Sequence, residues 1–203
     1  MKKILILAAG IAATAAAVTA LTVGRPAGGV APQTAQAEPA TTVIDGYELD
    51  PSLTAATAFP GNELIFEARV VRTEAPRKVV ANGNGPAYIY TPVLMKVERS
   101  VRGGLAAGQT VTVRALGGTI ANERTVSRLS PDLAEYREGR HLLLMTARSV
   151  DAGDGVQAVT PNYLLGFDDQ RGTVFNISDP AQSQSAKTFS RALANARGTS
   201  IAK

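Results

Sequence analysis

Short runs of alternating apolar and polar residues, separated by glycine-containing turns, limit the fold of this chain more than any other feature of its sequence. The clearest runs are LIFEARVV at 64–71, YIYTPVLMKVE at 88–98 and TVTVRAL at 110–116. Because successive side chains of a strand point to opposite faces, each run predicts a strand with one buried face. Glycine pairs at 103–104 and 117–118 end the second and third runs, which predicts an antiparallel pair.

Three further segments predict a central strand, an edge or bulged strand and a loop. The continuous apolar run HLLLMTA at 141–147 predicts a central strand that is buried on both faces. Pro92 has no backbone N–H to donate to a ladder, so its strand is expected at an edge or at a bulge. The segment Thr73–Pro86 contains two prolines and two Asn-Gly pairs, and it predicts a long mobile loop.

The second half of the chain predicts two more hairpins. One pairs HLLLMTA with VQAVT at 156–160 across a turn at 151–155, and the other spans 163–177 with a turn at 168–172. Between the two halves, SPDLAEYREGR at 130–140 has a serine cap, a proline and a terminating glycine, which predicts a single helical turn.

Residues 179–198 predict a C-terminal amphipathic helix. Asp179, Pro180 and Gln182 occupy the N-cap, N1 and N3 positions of a capping box, and Gly198 terminates the helix. Its apolar stripe is Ala186, Phe189, Leu193 and Ala196. Seven or eight short strands followed by one helix predict a mainly β fold, a small antiparallel barrel that is closed or nearly closed.

The N-terminal residues 1–37 have the pattern of a signal peptide. Lys2 and Lys3 precede 20 uncharged residues, from Ile4 to Val23, and Ala35-Gln36-Ala37 places small residues where a signal peptidase cleaves. The uncharged run is also long enough to cross a bilayer, so a retained anchor is the alternative. Residues 38–61 are predicted to form a Pro/Ala-rich tether and first segment, ahead of a barrel at 62–178.

Charge and cysteine content exclude some classes of protein. The chain has 21 basic and 17 acidic residues, and removal of residues 1–37 takes away three basic and no acidic ones. The remaining net charge of +1 lacks the basic excess of a nucleic-acid binder, so no nucleic-acid partner is expected. The sequence contains no cysteine to attach a lipid or to form a disulfide, and its stability must come from packing.

A resemblance of pattern connects four stretches of the chain: YTPVLMKVERSVRG, VTVRALGG, REGRHLLLM and LLGFDDQRGTVFNI. Together they resemble uncharacterised bacterial exported proteins with an OB-like barrel of the netrin or metalloproteinase-inhibitor type, over about residues 62–178. The resemblance implies a five-stranded Greek-key barrel with extra strands and a binding role. The inhibitors of that group chelate zinc through an N-terminal cysteine that this chain lacks, so their mechanism does not carry over.

No catalytic residue, metal site or cofactor is predicted. The one histidine, His141, precedes the apolar run LLLM and is interpreted as a strand-end residue with local hydrogen bonds rather than a general base. The pairs Asp151/Asp154 and Asp168/Asp169 could hold Ca²⁺, but aspartate and glycine also belong in hairpin turns for backbone reasons. A pair of carboxylates for glycoside hydrolysis remains open on spacing alone.

Tyr88 and Tyr90 are the candidate ligand-binding residues. They alternate with Ile89, so a core position for Ile89 would place both rings on the outer face of the sheet. The competing interpretation is that they cover the barrel under the C-terminal helix. The predicted function is a secreted or cell-envelope, non-enzymatic domain that binds a protein or another envelope component. Two alternatives are an extracellular hydrolase and a protease inhibitor that presents the loop Thr73–Pro86.

Overall fold

The structure, a computed structural model, describes residues 38–44, 61–80, 84–128, 133–177 and 181–195. Within these ranges the chain is mainly β, with antiparallel pairing in its principal sheet and one short α-helix. The strands are β1 (Ala40–Ile44), β2 (Leu64–Thr73), β3 (Arg77–Val80), β4 (Ala87–Arg102), β5 (Thr110–Leu116), β6 (Gly118–Ile120), β7 (Glu123–Ser127), β8 (His141–Thr146), β9 (Val150–Asp151), β10 (Gln157–Ala158), β11 (Pro161–Asp168), β12 (Thr173–Asn176) and β13 (Ser183–Ser185). The helix α1 spans Ala186–Asn195, and a short 3₁₀ turn at Leu133–Glu135 falls where the single helical turn is predicted.

The principal sheet is organised around the long strand β4. Its strand order is β13-β12-β11-β8-β2-β4-β3, and β5 pairs with the opposite edge of β4. Along one edge, β4 pairs first with β3, through Ala87–Tyr90, and then with β2, from Val93 onward. A smaller sheet has the order β1-β7-β6, with β1 parallel to β7, and β9 and β10 form a hairpin of their own. The predicted pairing of HLLLMTA with VQAVT is therefore wrong, because β8 pairs with β2 and β11.

Pro92 lies at the point where β4 changes its partner from β2 to β3. Its carbonyl accepts a hydrogen bond from the amide of Glu74, at 2.8 Å, in the connection between those two strands. The nitrogen of Pro92 therefore lies between the two ladders, where no hydrogen bond to a paired strand is lost by the absence of an N–H. Of the two predicted possibilities, the edge strand is wrong, since β4 has neighbours on both sides, but an irregularity is present. The register of β2 against β4 shifts between Val70 and Arg72, opposite Met95 and Leu94.

The hydrogen-bonded ladders form open sheets, and the prediction of a closed barrel is wrong. Strand β5 meets the segment before β11 at one isolated parallel bridge, between Val113 and Val159. In this bridge the amide of Arg114 donates to the carbonyl of Val159 at 2.8 Å, and the amide of Val159 donates to the carbonyl of Thr112 at 2.9 Å. The next donor in a parallel ladder would be residue 161, which is a proline without an N–H, so the pairing stops there.

Two apolar clusters pack on opposite faces of the sheet. The first contains Phe66, Ala68, Val70, Val93, Met95, Val97, Val111, Val113, Ala115, Leu142 and Leu144 among its buried residues. The second contains Ile65, Leu143, Met145, Tyr163, Leu165, Val174 and Phe189, the last of them contributed by α1. Every residue of β8 is buried, so the prediction of a strand buried on both faces is confirmed.

Two predicted segments differ from the structure. The segment predicted as a mobile loop contains β3, where Val79 is buried, because the run Lys78-Val79-Val80 suits a strand and pairs with Ala87–Ile89. The C-terminal helix begins at Ala186 rather than after Asp179, since Ser183–Ser185 pair with β12. Asp179, Pro180 and the signal or anchor at 1–37 lie outside the described residues. Among the residues that are described, no helix is long and apolar enough to cross a membrane.

Candidate functional site

Tyr90 and Arg114 lie side by side on the face of β4 and β5 that points away from the first apolar cluster. Their strand neighbours Val93 and Val113 point into that cluster, and the alternation of a strand turns Tyr90 and Arg114 to the other face. The guanidinium carbon of Arg114 is 4.9 Å from the centroid of the Tyr90 ring, which is a cation–π contact.

The hairpin β9–β10 covers these two side chains. The Tyr90 hydroxyl donates a hydrogen bond to Asp154 in the hairpin turn. Arg114 donates to the carbonyl of Val150 and to the Thr160 hydroxyl, both at 3.4 Å. Arg77 is also close, with its Nη1 3.9 Å from Oδ2 of Asp154. The Tyr90 cluster consists of these four side chains: Tyr90, Arg114, Asp154 and Arg77.

Asp151 shapes the turn that presents Asp154. One oxygen of Asp151 accepts hydrogen bonds from the backbone amides of Gly153, Asp154 and Gly155, at 2.8, 3.1 and 3.0 Å. Gly153 and Gly155 both have positive φ, which lets the backbone curl around this carboxylate. Asp151 therefore fixes the backbone, and Asp154 is directed toward the sheet.

Tyr90, Arg114 and Asp154 are largely shielded from water, whereas Arg77 is 44% exposed. Burial and, next, the hydrogen bond to Asp154 together raise the pKa of Tyr90 to about 12. Burial opposes ionisation of Asp154, but the hydrogen bonds from Tyr90 and from backbone amides outweigh it and lower the pKa of its carboxyl. Arg114 is only 3% exposed, and its Nε has no hydrogen-bond partner among the described residues.

The two predicted ligand-binding tyrosines differ in their exposure. Tyr88 is half-buried and lies opposite Val79 of β3, whereas Tyr90 has no exposed surface. The prediction of two exposed rings is therefore wrong for Tyr90, because the hairpin β9–β10 covers the outer face at this point. Their role in ligand binding stays a prediction.

A second polar group, the His141 cluster, consists of His141, Asp169, Arg69 and Glu98. The Nδ1 of His141 is 2.6 Å from Asp169, and Arg69 donates to Asp169 at 2.7 Å and to Glu98 at 2.8 Å. The hydrogen bond from His141 and the contacts with Arg69 lower the pKa of the Asp169 carboxyl, although partial burial opposes this. The imidazole stacks on Phe167 with ring centroids 4.3 Å apart, and its Nε2 is buried with no partner in the described part of the chain.

The two aspartate pairs that were considered for Ca²⁺ have partners within the protein. Asp151 and Asp154 hold the first turn, while Asp168 accepts the amides of Gln170 and Arg171 in the second. Within the described ranges, no group of three or more His, Asp or Glu side chains could hold a metal ion.

Sequence reasoning missed Arg114 and the contact of Asp154 with Tyr90. Arg114 occupies an outward position in a short alternating run, and Asp154 lies in a glycine-rich turn 40 residues later in the chain. Only the pairing of β5 with the segment at Val159 brings them together. No model of a protein family matches this chain, and no curated protein matches its sequence.

Proposed function

We propose that this chain is a non-enzymatic binding domain that is exported, either to the cell envelope or out of the cell, and that binds a protein or another envelope component. The export part rests on the sequence pattern of residues 1–37. The binding part rests on the Tyr90 cluster and on Tyr88 beside it.

Arg114 is the observation that supports a binding site most directly. Burial of a guanidinium is costly unless strong hydrogen bonds and an opposite charge compensate for it. Arg114 has two long hydrogen bonds to neutral oxygens, the face of an aromatic ring and an Nε without a partner in the described residues. The Asp154 carboxylate is close enough to interact electrostatically with Arg114, but it bonds to the Tyr90 hydroxyl. Because the donors of the guanidinium are incompletely satisfied, we assign the arginine to ligand binding.

The location of the cluster agrees with an OB-like fold, which is part of the same proposal. The pairing order β5-β4-β2-β8-β11, together with the parallel contact at Val159, corresponds to the strand order of a five-stranded OB barrel. Such barrels bind ligands on the face of their second and third strands, between two flanking loops. In the proposed OB-like fold those strands would be β4 and β5, and the flanking segments would contain β3 and the β9–β10 hairpin.

Two alternative functions receive less support from the geometry. The predicted hydrolase would act through a pair of carboxylates, but Asp154 bonds to Tyr90, and Asp169 bonds to His141 and Arg69. His141 is also poorly placed as a base, because its Nε2 is buried and its Nδ1 bonds to Asp169. An inhibitor that used the Thr73–Pro86 segment would need an extended loop, but Arg77–Val80 of that segment form a strand paired with β4.

The test is recovery of a partner from an envelope extract with the full chain as bait. We expect Tyr88→Ala to lose the partner while the melting temperature stays within a few degrees of the unchanged protein. Val71→Ala is the control, because Val71 is an exposed apolar residue on β2 and should leave recovery unchanged. If Tyr88→Ala recovers the partner as well as Val71→Ala does, Tyr88 has no part in binding.

A further inference from the structure

We propose that the hairpin turn at 151–155 is a displaceable cover and that Asp154 occupies the position of a carboxylate belonging to the ligand, an acidic peptide segment. This inference rests on the proposed binding function of the same face. It names the class of ligand and the part of the chain that competes with it.

The charges of the Tyr90 cluster favour an anionic ligand. Arg114 and Arg77 provide two cations, whereas Asp154 provides one carboxylate and bonds to the Tyr90 hydroxyl rather than to either arginine at short distance. If the turn moves away, two guanidinium groups and a phenol donor remain on one face of the sheet. Guanidinium groups bind carboxylates through two parallel hydrogen bonds, which Asp154 does not form in the covered state.

The cover has the features of a segment that can open at low cost. Strands β9 and β10 contain two residues each and share two register pairs. None of the residues 150–157 is buried, and Val150 is 54% exposed. Few buried apolar contacts and short ladders place a segment at the low end of local stability.

A peptide fits the surroundings of the cluster better than a free carboxylate does. The group now in place is itself an aspartate side chain on a polypeptide. Strand β3, which contains Arg77, ends the principal sheet and pairs only with β4 among the described residues. Its outer edge can therefore add an extended peptide by main-chain hydrogen bonds while an acidic side chain reaches the arginines.

The experiment compares the unchanged full chain with Asp154→Asn, which removes the charge of the cover and keeps its volume. The probe is an aspartate tetrapeptide blocked at both ends, titrated by calorimetry, with acetate and inorganic phosphate in separate titrations. We expect the variant to bind the peptide at least about tenfold more tightly, because the side chain at position 154 no longer competes with the peptide carboxylate for the site. Glu98→Gln removes one exposed charge that pairs with Arg69, outside the Tyr90 cluster and strand β3, and should change the affinity little.

Two further measurements keep the test valid if Asp154→Asn disturbs the fold. In the unchanged protein, the peptide should accelerate amide hydrogen exchange of residues 150–158 while β8 stays protected. Arg77→Gln, at a position 44% exposed, should weaken the peptide affinity several-fold without loss of melting temperature.

Equal affinities of the unchanged chain and a folded Asp154→Asn variant, or greater protection of residues 150–158 with peptide present, would overturn the inference. Binding of acetate or phosphate as tight as that of the peptide would overturn the peptide as ligand. If those results occur while partner recovery still depends on Tyr88, the inference fails and the proposed function stands.

Discussion

Gly166 of β11 shows how one residue can depend on the strand beside it. It lies opposite Phe175 of β12, and a Cβ at position 166 would be 2.2 Å from the tip of the Phe175 ring. An aromatic ring laid over a glycine on the neighbouring strand compensates for the missing side chain. The pair is therefore expected to act as a unit.

We expect Gly166→Ala to lower the free energy of unfolding by about 1–2 kcal/mol, because the ring must leave its place. Urea denaturation measures the effect. In a Phe175→Ala background the same substitution should cost much less, since nothing then contacts the new methyl group. An equal cost in both backgrounds would show that the ring is not responsible.

Ala121, in the turn between β6 and β7, has a φ of 49°. An L-residue in this left-handed region is strained, and glycine is not. We expect Ala121→Gly to stabilise the protein by about 0.5–1 kcal/mol. Gly118→Ala is the opposite case, because Gly118 has a φ of 143° and a Cβ there would be 3.0 Å from Pro76 and Thr91. Thermal denaturation should show a higher melting temperature for Ala121→Gly and a lower one for Gly118→Ala than for the unchanged protein.

At the scale of elements, local sequence patterns predicted the strands that have clear alternation. They failed where pairing with a neighbouring strand determines the backbone conformation. Strands β2, β4, β5 and β8 follow from their own residues, since each has one or two apolar faces. Strand β3 is a short run among prolines and Asn-Gly pairs, and its pairing with β4 lets that run form a strand. The start of α1 was misplaced for the same reason, because Ser183–Ser185 become a strand through contact with β12.

Strand β8 gives a test that reports on each face of the sheet separately. Leu144 belongs to the first apolar cluster and Leu143 to the second, and neither has exposed surface. We expect Leu143→Ala and Leu144→Ala each to cost about 2–5 kcal/mol of unfolding free energy. Denaturant titrations measure both. A cost well below this range for Leu143→Ala alone would mean that the face covered by α1 packs loosely.

At the scale of the whole molecule, the candidate site was only partly accessible to prediction. Alternation placed Tyr90 on the correct face of β4, but it could not show that a hairpin 60 residues later covers that face. Local patterns also could not predict whether the sheet closes, because closure depends on whether the single bridge at Val159 continues as a ladder. Long-range contacts of this kind are set by the path of the chain, and no short motif encodes them.

The alkaline stability of the whole molecule should depend on the Tyr90 cluster. Burial, followed by the hydrogen bond to Asp154, raises the pKa of Tyr90 to about 12, whereas a tyrosine in the unfolded chain ionises near the ordinary value of 10.0. The folded state therefore favours the neutral phenol, so this contribution is complete below pH 10 and is lost as the pH rises toward about 12. The loss should amount to about 2–3 kcal/mol.

Tyr90→Phe removes the ionisable group and keeps the ring under Arg114. Its unfolding free energy should fall less steeply than that of the unchanged protein between pH 10 and pH 12, as measured by urea denaturation at a series of pH values. Burial also raises the pKa of Tyr136, so Tyr136→Phe serves as a second variant that should remove a separate part of the slope. Because Tyr136 belongs to the first apolar cluster, whereas Tyr90 bonds to Asp154 of the hairpin turn, only Tyr90→Phe should also loosen the β9–β10 hairpin. A slope unchanged by Tyr90→Phe would mean that the phenol is exposed in solution and that the cover is already open.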